Sequence, residues 1–419
     1  MTAMTIVEKV VARAAGKEVV VPGEILFVEP DLLILYDWFG LSDWYMDTID
    51  KEFKIDRLPY PDRILFFIDH MIPVQNEVHG RIHARTRSWC EKQGIRCMEG
   101  EGIGHSVVVE NGMVRPGMLV AHFDTHVSTV GAVGALGFGI MKELMMPMVT
   151  GKMWLKVPET YKITLQGRFQ KGVMGRDLLH TLVADLGPDG CINRVVTFEG
   201  QGAESVGMDS RMTLCDLANY FGATTALFHP DKVTLQYLLR NAGVEAEPVV
   251  SDPDAGFSGS SHYHLETVEP TLICPPTISN AVPLTERAGT EVHVGIIGTC
   301  ASGRIEDLEI AAEILKGKKV KGAFKLFVVP TSKRVFLEAN KRGYINTLLE
   351  AGAFVSSPTC DFCYGKATCL MPGERAISTQ TLNVPGRLGS TEAEIYLASA
   401  ATVAASAIEG AIADPRQYL

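Results

Sequence analysis

Two cysteine-bearing loops, each placed after a predicted strand, constrain the fold of this chain most strongly. Residues 292–300 form a predicted buried strand that ends at Cys300, and a predicted helix follows it. A second strand, two helices and a short extended segment then lead to Cys360 and Cys363. This alternation predicts a parallel sheet, whose loops meet at the carboxyl ends of its strands. We therefore expect the three cysteines to lie together at one end of one sheet.

The predicted elements of this region are strands at 292–300 and 323–329 and helices at 304–316, 332–339 and 345–350.

Three thiolates in a Cys…Cys-x-x-Cys arrangement make an incomplete metal cage. A cuboidal iron–sulfur cluster held by three cysteines keeps one iron without a protein thiolate, and that iron can take a substrate hydroxyl and carboxylate. Spacing alone leaves two other interpretations open, a redox-active pair and half of a zinc site. The surrounding chain favours the cluster.

Composition restricts the partners and the compartment. The chain has 419 residues, 46% of them apolar and 21% charged, which is typical of a globular enzyme of two or three domains. Its net charge of −10 and lack of a basic block disfavour nucleic acid and anionic membranes as partners. Nine cysteines without a signal peptide favour reduced thiols and the cytoplasm. The longest apolar stretch, 131–149, is interrupted by charges and proline, so we expect no membrane span.

A second polar cluster follows an earlier predicted strand. Residues 117–121 read as a strand, and Phe123-Asp124-Thr125-His126 follows it before a glycine-rich turn into 132–145, in a unit similar to the one around Cys300. A carboxylate and an imidazole that converge at a strand end suit proton transfer. Asp124 and His126 are therefore candidate catalytic residues.

Further elements are predicted as helices at 5–13, 177–186, 213–221 and 392–411 and a strand at 195–198.

The order of short motifs along the chain resembles that of the aconitase superfamily, especially the large subunits of isopropylmalate dehydratase and homoaconitase. The motifs are GTCASGRIEDL at 298–308, TCDFC at 359–363, PGER at 372–375, IST at 377–379, GR at 386–387, DTH at 124–126, WLKVPET at 154–160 and GMDSRMT at 207–213. The resemblance runs nearly end to end. It implies an α/β fold of three domains around a [4Fe-4S] cluster and a hydro-lyase that reversibly dehydrates a small hydroxy acid. We place the domain boundaries loosely, giving 1–160, 161–285 and 286–419, the last with the cluster cysteines.

The resemblance also implies roles for individual residues. Those implied as metal ligands are Cys300, Cys360 and Cys363; those implied as catalytic are Asp69, His70, His105, Asp124 and His126; those implied as substrate-binding are Thr125, Ser302, Arg387 and Asp216. Arg387 resembles the arginine that grips a substrate carboxylate, a task suited to a bidentate guanidinium. We expect Arg304 instead to pair with a structural carboxylate, and His79, His83, His180 and His229 to be surface or packing residues.

Several positions depart from the family pattern, and most become less polar. Asp216 and Tyr220 replace an Asn and a metal-proximal Glu, and Leu382 replaces a substrate-binding arginine. The segment 36–39 is also bulkier than its polar equivalent. A tricarboxylate would leave charges unpaired in such a pocket, so the substrate is predicted to be smaller than citrate. Isopropylmalate, a methylated malate and malate formed from maleate remain open.

The family's swivelling domain, which carries the catalytic serine and further arginines, has no counterpart after Leu419. We therefore expect a separate small subunit as partner and no activity of the large chain alone.

Two other functions are weighed against the hydro-lyase. His122, Asp124 and His126 resemble the strand-end ligands of zinc-dependent hydrolases, with His262 and His264 as further candidates, but the cysteine loops would then have no role. A non-catalytic, cluster-sensing RNA-binding protein is disfavoured by the acidic charge. The glycines 131, 134, 137 and 139 lack the Gly-x-Gly-x-x-Gly order of a dinucleotide site.

Overall fold

The computed structural model describes residues 2–38 and 40–419 and divides the chain into two compact units. Unit 1 takes in the chain up to Ile163 together with Asn193–Glu199 and Thr224–Ser261. Unit 2 comprises Thr164–Ile192, Gly200–Ala223 and His262–Leu419. The units interleave along the sequence, whereas the three predicted domains are consecutive segments. That three-part division remains a prediction.

The helices are α1 Ile6–Ala15, α2 Leu41–Asp47, α3 Glu77–Gln93, α4 Gly104–Glu110, α5 Met145–Thr150, α6 Gly175–Leu186, α7 Met208–Asp216, α8 Lys232–Ala242, α9 Ile305–Leu315, α10 Lys333–Lys341, α11 Tyr344–Ala351 and α12 Ala400–Glu409.

The strands are β1 Ile25–Val28, β2 Leu32–Tyr36, β3 Ile64–Ile68, β4 Arg96–Glu99, β5 Leu119–His122, β6 Leu136–Gly139, β7 Met153–Lys156, β8 Glu159–Gln166, β9 Arg194–Glu199, β10 Thr225–Phe228, β11 Gly259–His264, β12 Thr271–Ile273, β13 Ala281–Pro283, β14 Val294–Gly298, β15 Lys325–Val329, β16 Phe354–Val355, β17 Arg375–Ser378 and β18 Glu394–Leu397.

Unit 1 is built on a five-stranded parallel sheet of order β4-β3-β2-β5-β6. Its central strands β2 and β3 are buried along their whole length, as expected for a sheet covered on both faces. The strands β1 and β7 pair as a separate antiparallel ribbon. A four-stranded sheet of order β10-β9-β8-β11 lies mainly in this unit. Because all five strands of the parallel sheet run the same way, the residues after β2, β3 and β5 lie along one edge.

Unit 2 is built on a seven-stranded sheet of order β13-β12-β18-β17-β14-β15-β16. The strands β18, β17, β14, β15 and β16 are parallel, and β12 joins β18 and β13 in antiparallel fashion. Helices α9, α11 and α12 bury their apolar faces in its core, with Leu308, Leu348 and Val403 inaccessible to solvent. The predicted parallel sheet is confirmed. It places the loops after β14 and β16 on the same edge.

Several predicted elements agree with the structure, and three do not. Residues 132–145, expected to complete a unit like the one around Cys300, contain β6 and a short 3-10 helix instead. The predicted helix 392–411 contains β18 before α12 begins. The predicted helix 213–221 begins earlier, at Met208, and ends at Asp216, and a separate 3-10 helix follows at Ala218–Phe221. Within residues 2–38 and 40–419, no helix combines the length and the apolar character needed to cross a membrane.

Candidate functional site

The edge of the parallel sheet in unit 1 gathers the predicted acid–base residues. Asp69 and His70 directly follow β3, and Asp124 and His126 follow β5. Between these strands lies β2, which ends at Tyr36. Because β3, β2 and β5 are parallel neighbours, their carboxyl ends bring these side chains together.

His70 lies between two buried carboxylates. Its Nδ1 is 2.7 Å from Asp69 Oδ1 and 3.4 Å from Asp37 Oδ1. Burial alone would lower the pKa of His70, but the charge of Asp69 and the hydrogen bonds to Asp37 and Asp69 outweigh it and raise the pKa well above its ordinary value. These contacts favour the protonated form of His70, which lies between the two carboxyl groups.

The carboxylate oxygens of Asp37 and Asp69 accept hydrogen bonds from other groups of the protein. Asp37 Oδ1 accepts from the backbone N–H groups of Asp69 and His70, each at 3.1 Å, and Asp37 Oδ2 lies 2.9 Å from His83 Nε2. Asp69 Oδ2 accepts from the Gly104 N–H at 2.8 Å. Burial would raise the pKa of Asp37, but the hydrogen bonds to His70 and His83 lower it to about 2. The Asp37, Asp69 and His70 ligand atoms are close enough to hold a metal ion, but their hydrogen bonds to other groups of the protein also account for this arrangement.

Asp124 and His126 form the second part of the unit 1 site. The His126 N–H donates to Asp124 Oδ1 at 2.9 Å, and the Tyr36 hydroxyl donates to Asp124 Oδ2 at 2.5 Å. Burial opposes ionisation of Asp124, but the charges of His126 and His122 and these hydrogen bonds hold its pKa below its ordinary value. Asp124 is therefore a carboxylate at neutral pH.

His105 lies in the first turn of α4 and stacks on His126, with ring centroids 6.0 Å apart and an interplanar angle of 29°. Its Nδ1 is 3.1 Å from Thr129 Oγ1. Thr125 is exposed beside them. The structure thus brings together Asp69, His70, His105, Asp124 and His126, which the resemblance implied as one catalytic group.

The edge of the seven-stranded sheet in unit 2 gathers the three cysteines. Cys300 follows β14, while Cys360 and Cys363 follow β16, Cys360 directly before and Cys363 within a 3-10 helix at Asp361–Tyr364. Cys300 and Cys363 are 2% and 4% exposed. The thiol of Cys363 interacts with both Cys300 and Cys360, and these contacts, stronger than the opposing effect of burial, hold its pKa well below its ordinary value. Three gathered thiols, one disposed to ionise, are a donor set that suits an iron–sulfur cluster.

The backbone around Cys300 is tightly constrained. Gly298 and Gly303 both have positive φ, and a Cβ on either would lie 2.0 or 2.3 Å from the Val329 carbonyl oxygen. Thr299 also has a positive φ of 69°, a costly conformation for a β-branched residue. Strain of this kind is retained where the surroundings fix a functional loop.

Two arginines hold the cysteine loops. Arg387 Nη2 donates to Cys363 Sγ at 3.1 Å. Arg304 Nη2 donates to the Cys300 carbonyl oxygen at 2.7 Å, and its Nη1 donates to Thr213 Oγ1 at 3.2 Å. The guanidinium thus fixes the loop of the first cysteine through a carbonyl and a hydroxyl. Arg304 also interacts with a carboxyl group, as expected: its charge opposes the rise in the pKa of Asp307, and its backbone N–H donates to Asp307 Oδ2 at 3.0 Å.

Asp216 and Tyr220, two of the positions that depart from the family pattern, are buried in unit 2. The Tyr220 hydroxyl donates to the Thr381 carbonyl oxygen, and burial raises the pKa of Tyr220 above its ordinary value. Asp216 is 1% exposed and interacts electrostatically with Tyr220. Since α7 ends at Asp216, the two residues are not one turn apart on a continuous helix. Ser302 is buried and interacts with the carboxyl group of Asp307.

The structure also identifies residues that sequence analysis passed over. Tyr36 and Asp37 lie at the end of β2, as Asp69 and His70 lie at the end of β3. This position at a strand end is the feature of the sequence that could have identified them. His83, expected to be a surface or packing residue, is buried against Asp37. His180 is buried and packs within unit 2, where its Nδ1 lies 2.8 Å from the Thr271 carbonyl oxygen. Phe39, part of the bulky segment 36–39, lies outside the described residues.

The metal-hydrolase alternative finds no support in the geometry. Within the described part of the chain, His122, Asp124 and His126 do not place ligand atoms within 4.8 Å of one another. Burial and the neighbouring histidines lower the pKa of His122 to about 3, and its Nδ1 accepts from the Asp124 N–H. His262 and His264 are exposed along β11.

Comparison with known proteins gives consistent matches along the chain. The model of the aconitase family (aconitate hydratase) matches residues 56–291 and 285–410. The chain is 36% identical to the 3-isopropylmalate dehydratase large subunit 1 of Methanopyrus kandleri over 99% of both chains. It is 36% identical to the 3-isopropylmalate dehydratase large subunit of Aquifex aeolicus, over 99% of this chain and 98% of that one.

A probable methanogen homoaconitase large subunit of Methanosarcina mazei is 39% identical over 88% of this chain and 94% of its own. The holo-form of Thermococcus kodakaraensis aconitase X matches with a TM-score of 0.48 and 11% identity over 85% of this chain and 84% of that one, a likeness too weak to support a conclusion. The resemblance drawn from the sequence motifs is confirmed: the chain belongs to the aconitase family.

Proposed function

We propose that this protein is the large subunit of an iron–sulfur hydro-lyase that reversibly dehydrates a small hydroxy acid. The observation that carries the proposal is the gathering of Cys300, Cys360 and Cys363 at one sheet edge, in a chain of the aconitase family. Relatives named as isopropylmalate dehydratase and homoaconitase large subunits support the same reaction class.

Cys300, Cys360 and Cys363 would hold a [4Fe-4S] cluster as thiolates. When bound, the cluster supplies a Lewis-acidic iron for the hydroxyl and a carboxylate of the substrate. A positive charge and a hydroxyl lie next to one of these sulfur atoms: Arg387 and Thr381 both contact Cys363 Sγ, at 3.1 and 3.4 Å. Charge-assisted hydrogen bonds of this kind stabilise a thiolate.

The residues of unit 1 would transfer protons. His126, stacked on His105 and hydrogen-bonded through its backbone to ionised Asp124, is our candidate for the proton donor to the departing hydroxyl. His70, kept charged by Asp37 and Asp69, would act as a fixed cation and hydrogen-bond donor rather than as a base. Thr125 is exposed beside them and would contact substrate.

The substrate would carry less charge than citrate. Arg387 would bind one carboxylate, while the half-buried Leu382 cannot replace the charge of the arginine common in the family. Tyr220 donates its hydroxyl to the Thr381 carbonyl and so offers no anion near the cysteines. Isopropylmalate, a methylated malate and malate formed from maleate fit this description. Ser302 and Asp216 are proposed as further substrate-binding residues.

A separate small subunit would complete the enzyme, as the relatives' designation of large subunit implies for them. It would supply the base and the remaining carboxylate-binding groups. None of the nine cysteines, all of which lie in the described part of the chain, forms a disulfide, which agrees with a cytoplasmic location.

The test is a hydration assay of the anaerobically reconstituted chain on maleate, citraconate, isopropylmaleate and cis-aconitate, with and without a co-expressed candidate small subunit. We expect a brown protein that is active only with its partner and on one small unsaturated diacid. A colourless protein inactive on all four acids would contradict the proposed reaction, and fastest turnover of cis-aconitate would contradict the proposed substrate class.

A further inference from the structure

We propose that Tyr36 is a positioning residue of the reaction: its hydroxyl fixes the carboxyl group of Asp124, and its ring packs against the ring of His70. The inference deepens the proposed function, because it assigns a residue to the same site. It is carried by contacts within unit 1 alone.

The sheet brings Tyr36 to Asp124. Tyr36 is the last residue of β2, and Asp124 follows the neighbouring strand β5 by two residues. The two strands are parallel, with Ile34 opposite His122. The carboxyl end of β2 therefore lies beside the turn that carries Asp124, and Tyr36 is 8% exposed there.

With the hydrogen bond from Tyr36, each carboxylate oxygen of Asp124 accepts from one donor. Its hydroxyl donates to Oδ2 at 2.5 Å, while Oδ1 accepts from the backbone N–H of His126 at 2.9 Å. With one donor on each oxygen, the carboxylate is held in a single orientation, and both bonds favour its ionised form.

The ring of Tyr36 is fixed by its aromatic neighbours. Its centroid lies 4.7 Å from that of His70 with an interplanar angle of 32°, and 4.1 Å from that of Phe123. The His70 ring also meets Trp38 edge to face, at 5.2 Å. An imidazolium against an aromatic face is a favourable contact in a dry site. Tyr36 thus touches both the charged histidine and the ionised aspartate of unit 1.

The titratable groups around Asp124 come from several elements of unit 1. They are Tyr36 at the end of β2 and the two histidines on either side of Asp124 in sequence, His122 and His126. His70, after β3, and His105, on α4, interact electrostatically with His122. Removal of the Tyr36 hydroxyl takes away a donor that favours the carboxylate. The pKa of Asp124 should then rise, and its side chain should gain rotational freedom.

The decisive variant is Tyr36→Phe, which keeps the ring and removes only the hydroxyl. Its matched control is Tyr45→Phe, since Tyr45 is also buried in unit 1 and donates its hydroxyl at 2.5 Å, but to the Met141 carbonyl oxygen. We expect Tyr36→Phe to lower kcat about 10- to 100-fold with little change in KM, as for a lost bond to a charged group. The acidic limb of its pH profile should move to higher pH. Tyr45→Phe should leave kcat and the pH profile unchanged.

A second readout does not depend on activity. In the reconstituted chain with labelled aspartate carboxyls, the ¹³C signal that disappears in Asp124→Asn should shift at pH 7 in Tyr36→Phe, because its carboxyl group loses a hydrogen-bond donor, and should stay in place in Tyr45→Phe. An unshifted Asp124 signal, or a kcat and pH profile like those of Tyr45→Phe, overturns the inference. An inactive wild type with a shifted Asp124 signal in Tyr36→Phe instead counts against the proposed reaction, while the hydrogen bond from Tyr36 to Asp124 stands.

Discussion

Asp37 lies at the centre of the buried hydrogen-bonded network of unit 1. It is inaccessible to solvent and contacts two histidines and two backbone N–H groups. Removing one partner of a buried ionic network leaves an uncompensated charge, which costs about 3–5 kcal/mol. Asp37 therefore contributes to the stability of the fold as well as to the orientation of His70.

We predict that Asp37→Asn lowers the free energy of unfolding at pH 7 by about 3–5 kcal/mol. Because the pKa of Asp37 is lowered from 3.8 to about 2, its contribution is present above pH 4 and is lost as the pH falls towards 2. Because the pKa of His70 is raised, its contribution is present at low pH and is lost as the pH rises through that pKa. Denaturant unfolding from pH 2 to pH 10 measures both.

The control is Asp50→Asn, since Asp50 forms a partly exposed ion pair with Lys92 at 3.3 Å. Its cost should be about 0–1 kcal/mol. An Asp37→Asn variant as stable at pH 7 as the Asp50→Asn control would contradict the network.

At the cysteines, we predict that Cys363→Ser loses the cluster after anaerobic reconstitution, because Cys363 is the thiol that contacts the other two and Arg387. Cys369→Ser is the matched control, since Cys369 is exposed and lies just beyond the pair. Visible absorbance and iron content should fall to background in the first variant and stay unchanged in the second. Equal iron in both would remove Cys363 from the ligand set.

At the residue scale, the sequence could predict the strand-end residues because the periodicity of buried strands locates their ends. Asp124 and His126 were found in this way and by their motif, whereas Asp69 and His70 were implied only by the family resemblance. Tyr36 and Asp37 follow the same rule but were not identified, since an aromatic residue after an apolar strand looks like part of its core. The contact between Tyr36 and Asp124 depends on strand order, which the sequence does not contain locally.

Among the elements, the 3-10 helix Thr125–Val133 approaches β10 more closely than any side chain would permit. A Cβ on Gly131 would lie 1.8 Å from the Ala226 carbonyl oxygen. Gly134 has a φ of 76°, and a Cβ on Gly137 would lie 2.6 Å from the Val127 carbonyl oxygen. The glycine-rich stretch that superficially resembles a phosphate loop is therefore a packing surface.

We predict that Gly131→Ala destabilises the protein by about 3 kcal/mol or more, because backbone must move to admit the methyl group. Gly256→Ala is the control, since a Cβ there meets nothing within 4 Å. Its effect should stay within about 0.5 kcal/mol. Thermal unfolding measures both, and a tolerated Gly131→Ala would contradict the close approach of the helix to β10.

The segment that follows β17 connects the two cysteine loops. Thr379 Oγ1 accepts from the Gly298 N–H at 2.8 Å, next to the first loop, and Gln380 Nε2 donates to the Phe362 carbonyl oxygen at 2.6 Å, inside the second. Buried Arg176 donates to the Thr379 and Gln380 carbonyl oxygens, each at 2.6 Å. One segment thus fixes both loops relative to each other.

Accordingly, Gln380→Ala should speed the loss of iron to a chelator about 2- to 10-fold, the effect of one lost hydrogen bond. The control is Gln170→Ala, since Gln170 also donates to a backbone carbonyl of unit 2, that of Glu266, but at the surface. A rate unchanged from that control would show that the two loops are held by other contacts.

At the element scale, the sequence predicted α1, α6, α9, β9, β14 and β15 because their periodicity and caps are clear; α1, for instance, begins at Thr5 with a capping box to Glu8. It failed at 132–145 and 392–411, where small apolar residues suit a strand as well as a helix. Sheet pairing decided those cases, since β6 pairs with β5 and β18 with β17.

For the whole molecule, strands of one sheet come from distant parts of the chain. The strands β12 and β13, at 271–283, join the seven-stranded sheet, whose other strands lie between 294 and 397. The compact units interleave for a similar reason, since Asn193–Glu199 and Thr224–Ser261 return to unit 1. Long-range pairing of this kind leaves no local signal in the sequence.

The central claim is that three cysteines of this chain hold an iron–sulfur cluster that serves a hydro-lyase. The most direct test is the iron, acid-labile sulfide and zinc content of the wild-type chain after anaerobic purification and reconstitution. We predict roughly four irons and four sulfides per chain, with no zinc. One zinc per chain without sulfide would contradict the account.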